Sequence, residues 1–162
     1  MDSERPTPES SEGELPEGLF TREHIAKVWL MYHQQVAPRG NDRIMLQVLT
    51  MHPEYYDAWG QATTGSRDEQ VVIEGVNPYL HAYFHAVVEN QVETEEPPEV
   101  AEMYKALLDA HMDLHEVSHR ISALLAEQVW AILAENKSFN RKRYIRDLAK
   151  LRSSVARSRR GS

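Results

Sequence analysis

The chain has 162 residues, a formal net charge of −7 and no cysteine. The length suits one domain with a real core, since chains near 150 residues remove roughly two-thirds of their unfolded surface from water. The missing cysteines exclude a disulfide framework, a thiolate zinc finger, an iron–sulfur cluster and thiol catalysis.

The net charge hides an asymmetry. Residues 137–162 carry ten Lys or Arg against a single acid, Asp147, a local balance of +9 that leaves −16 on the remainder. An acidic body with a basic end is not the profile of a general nucleic-acid binder, so nucleic acid is not an expected partner. The basic end reads as a solvated helix face with a short tail, the alternatives being contact with nucleic acid or an anionic partner, or folding back on the acidic body; for the protein as a whole a protein partner or homo-oligomer is compatible. The first residues are acidic and lack an apolar run, and no apolar stretch approaches the roughly 18–20 residues that span a bilayer. A soluble cytoplasmic protein is the expectation.

Residues 1–18 are rich in Glu, Ser and Pro and read as a disordered acidic tail, followed by one helical domain over 19–156 and a disordered basic tail over 157–162. A first helix is predicted from Thr21, a suitable N-cap, to about Val36, with Pro38-Arg39-Gly40 ending it. Asn41 is expected to cap a second helix that closes at His52-Pro53, because the residue before proline is pushed out of the α region. Pro53 then opens a short turn through Tyr55 to Trp59. Gly60 to Gly75 is a polar connection in which Val71-Val72-Ile73 is a short extended piece. Asn77-Pro78 is the clearest helix start in the chain, with Asn at N-cap and Pro at N1. That helix runs to about Val92, and Pro97-Pro98 begins the next. From Pro98 to about Asn136 the apolar period continues without Gly or Pro, which fits one long helix or two separated near Ala110 to Asp113. A last helix covers about Asn140 to Ala156. The predicted fold class is all-α, a bundle of four to six helices.

Five of the eight histidines fall in two helical clusters, His81/His85 and His111/His115/His119. Residues four apart share a helix face. The first pair interrupts the stripe of Phe84, Val88 and Val92, and the second cluster that of Leu107, Leu114 and Ile121. Imidazoles facing an interior need partners, because burying an unpaired polar group costs roughly 2–7 kcal/mol. Two His-x-x-x-His pairs on facing helices can deliver four nitrogens to one metal ion, so His81, His85, His115 and His119 are the expected ligands. His111, His52, Glu89 and Glu116 are further candidates. Glu89 lies one turn past His85. Glu116 and His119 repeat the Glu-x-x-His spacing of di-iron carboxylate bundles, once and not twice. His24 and His33 read as surface residues. With nitrogen and oxygen donors only, the expected cofactor is a transition metal, Zn or Fe first, with Ni, Mn, Co and Cu also compatible. A haem between two histidines, walled by Tyr83, Phe84 and Trp130, is a further reading.

The stretch Asn77-Pro-Tyr-Leu-His81-Ala-Tyr-Phe-His85, then Pro97-Pro98, His115-x-x-x-His119 and Trp130, resembles a family of small bacterial proteins catalogued as a domain of unknown function. His52-Pro-Glu-Tyr55 also fits that pattern, and the resemblance spans roughly residues 20–152. It implies a helical fold and points to His81, His85, His115 and His119, but implies no activity. Here His111 is additional, and the acid after His85 falls one position early, at Glu89, so Glu89 is not carried over as a ligand. No nucleophile elbow, P-loop, dinucleotide fingerprint or His-Glu-x-x-His motif is present, so no catalytic residue is assigned. Two functions stay open: a metal-binding bundle, with the metal structural or binding a small molecule such as O₂, and a non-enzymatic interaction or regulatory module with a metal-free histidine cluster.

Overall fold

The computed structural model describes residues 22–62, 64, 71–136 and 138–161. Among them are seven α-helices: α1 Arg22–His33, α2 Asn41–Thr50, α3 Tyr56–Gln61, α4 Pro78–Thr94, α5 Pro98–Asp109, α6 Leu114–Glu135 and α7 Arg141–Arg160. The expected acidic tail and Thr21, the expected first cap, lie outside the described residues. No described helix is long and apolar enough to cross a membrane.

Several boundaries differ from the sequence reading, each for a local reason. α1 ends at His33, before Pro38, because Gln35 turns left-handed (φ 56°) and Val36 N–H bonds back to the Met31 carbonyl. Asn41 is the first helical residue of α2 rather than its cap; Gly40 takes the cap position with φ 56°, a conformation that favours glycine. Past Pro98 there are two helices. α5 stops at Asp109, His111 adopts φ 61°, and the Asp113 carboxylate caps α6 by accepting from the N–H groups of His115 and Glu116. α7 continues beyond Ala156 to Arg160, since neither Gly nor Pro intervenes before Gly161. The extended piece near Val71 reduces to a single bridge, Ile73 to Val76, across Glu74 and Gly75, both at positive φ.

α4 is the spine of the bundle. Its Ala82 and Ala86 pack into a cluster built from α1, α2 and α3, around Ile25, Trp29, Met45, Leu49 and Trp59. Its Phe84, Val87 and Val88 pack into a second cluster from α5, α6 and α7, around Val100, Leu107, Ile121, Leu125 and Tyr144. Small residues on one face bring α2 close, and larger ones on the other fill the space toward α5 and α6. Two buried polar tips are satisfied by neighbouring helices: Trp59 Nε1 donates to the Leu49 carbonyl at 3.2 Å, and Tyr144 Oη to Gln91 at 3.0 Å. α4 packs directly on both α2 and α6. The line where the two apolar clusters meet along α4 is where the histidines converge.

The start of α4 fixes that line. Asn77 Oδ1 accepts from Tyr79 N–H at 3.0 Å and Leu80 N–H at 3.1 Å, one turn before His81. Asn77→Ala is expected to lower stability by about 1 kcal/mol, whereas Asn41→Ala stays within about 0.5 kcal/mol because Asn41 caps nothing. Chemical denaturation of the two variants distinguishes them.

Candidate metal centre

Five imidazoles from three parts of the fold come together around His52. His81 and His85 descend one face of α4, His115 and His119 stand on the first turns of α6, and His52 comes from the reversal between α2 and the 3₁₀ turn Pro53–Tyr55. Proline at 53 takes His52 out of the helix, with φ −123° and ψ 68°, and turns its ring into the interior. His52 and His85 are buried, and His81, His115 and His119 are half-buried.

Nitrogens of His52, His85, His115 and His119 all lie within 4.8 Å of one another. His52 Nε2 sits 3.1 Å from His81 Nε2 and 3.0 Å from His115 Nε2, and His115 Nε2 is 2.9 Å from His119 Nε2. The other ring nitrogens of the two buried histidines are tied to protein. His52 Nδ1 lies 2.8 Å from the Val48 carbonyl, and His85 Nδ1 lies 2.8 Å from Ser118 Oγ. A carbonyl only accepts, so His52 carries its proton on Nδ1 and presents a bare lone pair at Nε2. His85 Nε2 is buried with no hydrogen-bond partner among the described residues.

Hydrogen bonding cannot satisfy this arrangement. The one lone pair on His52 Nε2 would have to serve donors on both His81 and His115. The one Nε2–H on His115 would then have to serve both His52 and His119. No set of neutral tautomers gives each contact its own proton and lone pair, and His85 Nε2 gains nothing from any of them. Burial favours the neutral form of His81, pushing it down to about 4, with further lowering from His52, His119 and His115. His85, His52 and His119 are lowered as well, by burial first. Neutral imidazoles with inward lone pairs are a nitrogen donor set of the kind that holds a transition metal.

Of the four expected ligands, His85, His115 and His119 share the group of nitrogens lying within 4.8 Å of one another with His52, only a secondary candidate in sequence; His81 adjoins that group through His52 Nε2 at 3.1 Å. His111 is not part of the cluster. It occupies the left-handed turn between α5 and α6 and is exposed, because the helix break removes it from the face of His115. Glu116 points to solvent and pairs with Arg120 at 2.7 Å, acting on His119 only as a nearby negative charge. Glu89 accepts a hydrogen bond from Tyr104 Oη at 3.1 Å and is not part of the group of clustered ligand atoms. His24 is not a surface residue; its Nε2 lies 2.6 Å from the Asp42 carboxylate and its side chain is only 11% exposed. His33 is exposed. The haem reading does not fit. The imidazoles touch one another, with ring centroids 4.3–5.9 Å apart, and leave no slot for a macrocycle. Phe84 is core, Tyr83 packs against that core, and Trp130 is 61% exposed. Ser118 stands between His115 and His119 in the sequence, which assigns it no role; its hydrogen-bond partner, His85, lies on α4.

Residues 20–150 match a family described as "Domain of unknown function (DUF1841)". The chain belongs to that family. Membership in DUF1841 carries no assigned function. Comparisons with curated proteins and with solved structures returned no match. The chemistry of the DUF1841 site therefore rests on the geometry above.

Proposed function

We propose that this protein binds one transition-metal ion through His52, His81, His85, His115 and His119, and that the bound ion has a coordination position left for a small molecule such as water or O₂. One observation carries the reading: His52 Nε2, a lone pair fixed by the Val48 carbonyl behind it, lies about 3 Å from two further Nε2 atoms. A cation accepts all these lone pairs at once, where protons cannot.

The spacing also bears on the coordination number. Nitrogens at adjacent corners of an octahedral or square-pyramidal sphere, with metal–nitrogen bonds of about 2.1 Å, lie about 3.0 Å apart; tetrahedral corners lie about 3.4 Å apart. The separations of 2.9, 3.0 and 3.1 Å favour the former. The four imidazoles whose nitrogens all lie within 4.8 Å of one another, with His81 beside His52, leave at least one corner of a six-coordinate ion. That supports Fe, Mn, Co or Ni over a closed tetrahedral zinc site. The half-buried side of His81, His115 and His119 is where an exogenous ligand reaches it.

Elemental analysis of untagged protein tests the proposal. Near-stoichiometric metal is expected. Removing it should lower the melting temperature by roughly 5–10 °C, the shift expected when a ligand at about 100 times its Kd leaves a domain of this size. His85→Ala and His119→Ala should each lose metal while His33→Ala and His111→Ala keep it. Substoichiometric metal in every preparation, no stability change with a chelator, or equal behaviour of the four variants overturns the assignment.

A further inference from the structure

We propose that the outer face of α7 is a docking surface for an extended acidic peptide segment of a partner protein. Positions 146, 150, 153, 157 and 160 follow the i, i+4, i+7, i+11, i+14 pattern of one helix face. They bring Arg146, Lys150, Arg157 and Arg160 into a single stripe about 21 Å long, at about 1.5 Å of rise per residue. An open groove of about 690 Å³ lies along it, lined by those four cations, Ser153 and two alanines. All of these residues are exposed, and none belongs to the histidine cluster. The opposite face of α7 is already committed. Tyr144 and Leu148 are buried there, and Leu151 and Val155 pack against the second apolar cluster.

The stripe keeps an unmatched positive charge. Asp147 lies 3.9 Å from Arg146, 3.8 Å from Lys150 and 3.7 Å from Arg143, so one carboxylate is shared by three cations. Among the described residues, Arg157 and Arg160 have no ion pair. Four cations and no acid line the groove, so its occupant is anionic. The lining has no large apolar side chain to insert into an acyl layer, which disfavours a membrane surface. It has no aromatic ring to stack a base and no Asn or Gln to read one. The −16 carried by residues 1–136 also repels a duplex, whose charges continue at about one per 1.7 Å past both ends of the stripe.

A short acidic peptide meets neither obstacle. Side chains alternate along an extended segment, so carboxylates at every second residue lie about 6.7 Å apart and four of them span about 20 Å. Along the helix axis Arg146 and Lys150 are about 6 Å apart and Arg157 and Arg160 about 4.5 Å, offsets that long side chains absorb. Three of the four cations are Arg, whose planar fork takes a carboxylate through two parallel hydrogen bonds. Ala149, Ser153 and Ala156 are small and leave room for the peptide backbone between the cations.

The test is fluorescence anisotropy of the full chain with a short labelled peptide of alternating Glu and Gly. An alternating Gln and Gly peptide, a DNA duplex and phosphatidylserine vesicles serve as the comparison ligands. The Glu peptide is expected to bind, to weaken several-fold as salt screens the charges, and to outcompete the other three. Arg157→Glu/Arg160→Glu should bind at least about tenfold more weakly, because two attractive surface pairs become repulsive. Arg39→Glu/Arg152→Glu makes the same charge change at exposed positions off the stripe and should stay within about twofold. Melting temperatures should hold in both, since no core contact is touched. Absence of salt-sensitive Glu-peptide binding, or equal weakening in the two double variants, overturns the proposal and leaves α7 a solvated face. Tighter binding of the duplex or the vesicles overturns it in favour of that polyanion. A salt-sensitive dimer in sedimentation, abolished by Arg157→Glu/Arg160→Glu, overturns it in favour of a second copy of this chain.

Discussion

His52→Ala is expected to reduce metal affinity by at least about 100-fold, more than any other single histidine substitution in the cluster. The reason is position. His52 Nε2 contacts the Nε2 atoms of both His81 and His115, so it links the α4 ligands to the α6 ligands. Loss of an outer partner costs 10–100-fold in metal affinity, and loss of a direct, fully buried ligand lies at or above the top of that range. A competition titration with Co(II) and a chelator of known affinity measures it. Two results distinguish a ligand from a packing residue. His52→Gln largely refills the volume but has no imidazole lone pair, so it should recover folding and not affinity. The metal-free His52→Ala protein should lose only about 2–4 kcal/mol of stability, the cost of a buried cavity and an orphaned Val48 carbonyl. Affinity within a few-fold of the parent in both variants would remove His52 from the site.

The difference between what could and could not be read from the sequence is one of range along the chain. Asn77-Pro78 announces α4 because cap and N1 proline act within a single turn. The His81/His85 and His115/His119 pairs are legible because four residues is a helical turn. The break between α5 and α6 also has a local cause, the Asp113 cap two residues after a left-handed His111, yet the apolar period runs across it and made one long helix equally acceptable. Continuity of that period places His111 on the face of His115, and the helix break takes it off. Glu116 shows the limit of spacing: its place before His119 suggested a ligand, but Arg120, one turn on, holds it in solvent. His52 and Ser118 owe their roles to contacts 29, 63 and 33 residues apart in sequence. Such contacts depend on how closely α2 and α6 pack against α4, and no local pattern encodes that. Leu114 belongs to the predicted apolar stripe but is 44% exposed.

The same burial that prepares the cluster for a metal makes the metal-free protein sensitive to acid. His81 has its pKa held at about 4 in the folded chain against 6.5 in the unfolded one, and His52, His85 and His119 are lowered in the same direction. Between these values the unfolded chain binds more protons than the folded one, so stability is fully present above pH 6.5 and falls as the pH drops toward 4. His81 alone accounts for at most roughly 3 kcal/mol, reduced by solvent screening of a half-buried ring, and the other lowered rings add to it. Glu89 works in the opposite sense, because burial raises its pKa and the folded chain takes up that proton early. The histidines outnumber it and should dominate. Urea denaturation of the metal-free protein at pH 7.5 and pH 5.0 is therefore expected to show a loss on the order of 2–4 kcal/mol at the lower value. His81→Ala should flatten the profile and His33→Ala should leave it unchanged. The metal-loaded protein should lose stability over the same range more steeply, since protons and metal compete for the same lone pairs. Equal stability at both pH values would mean that the rings titrate alike in the folded and unfolded chains, and that the cluster is more open to water than its burial implies.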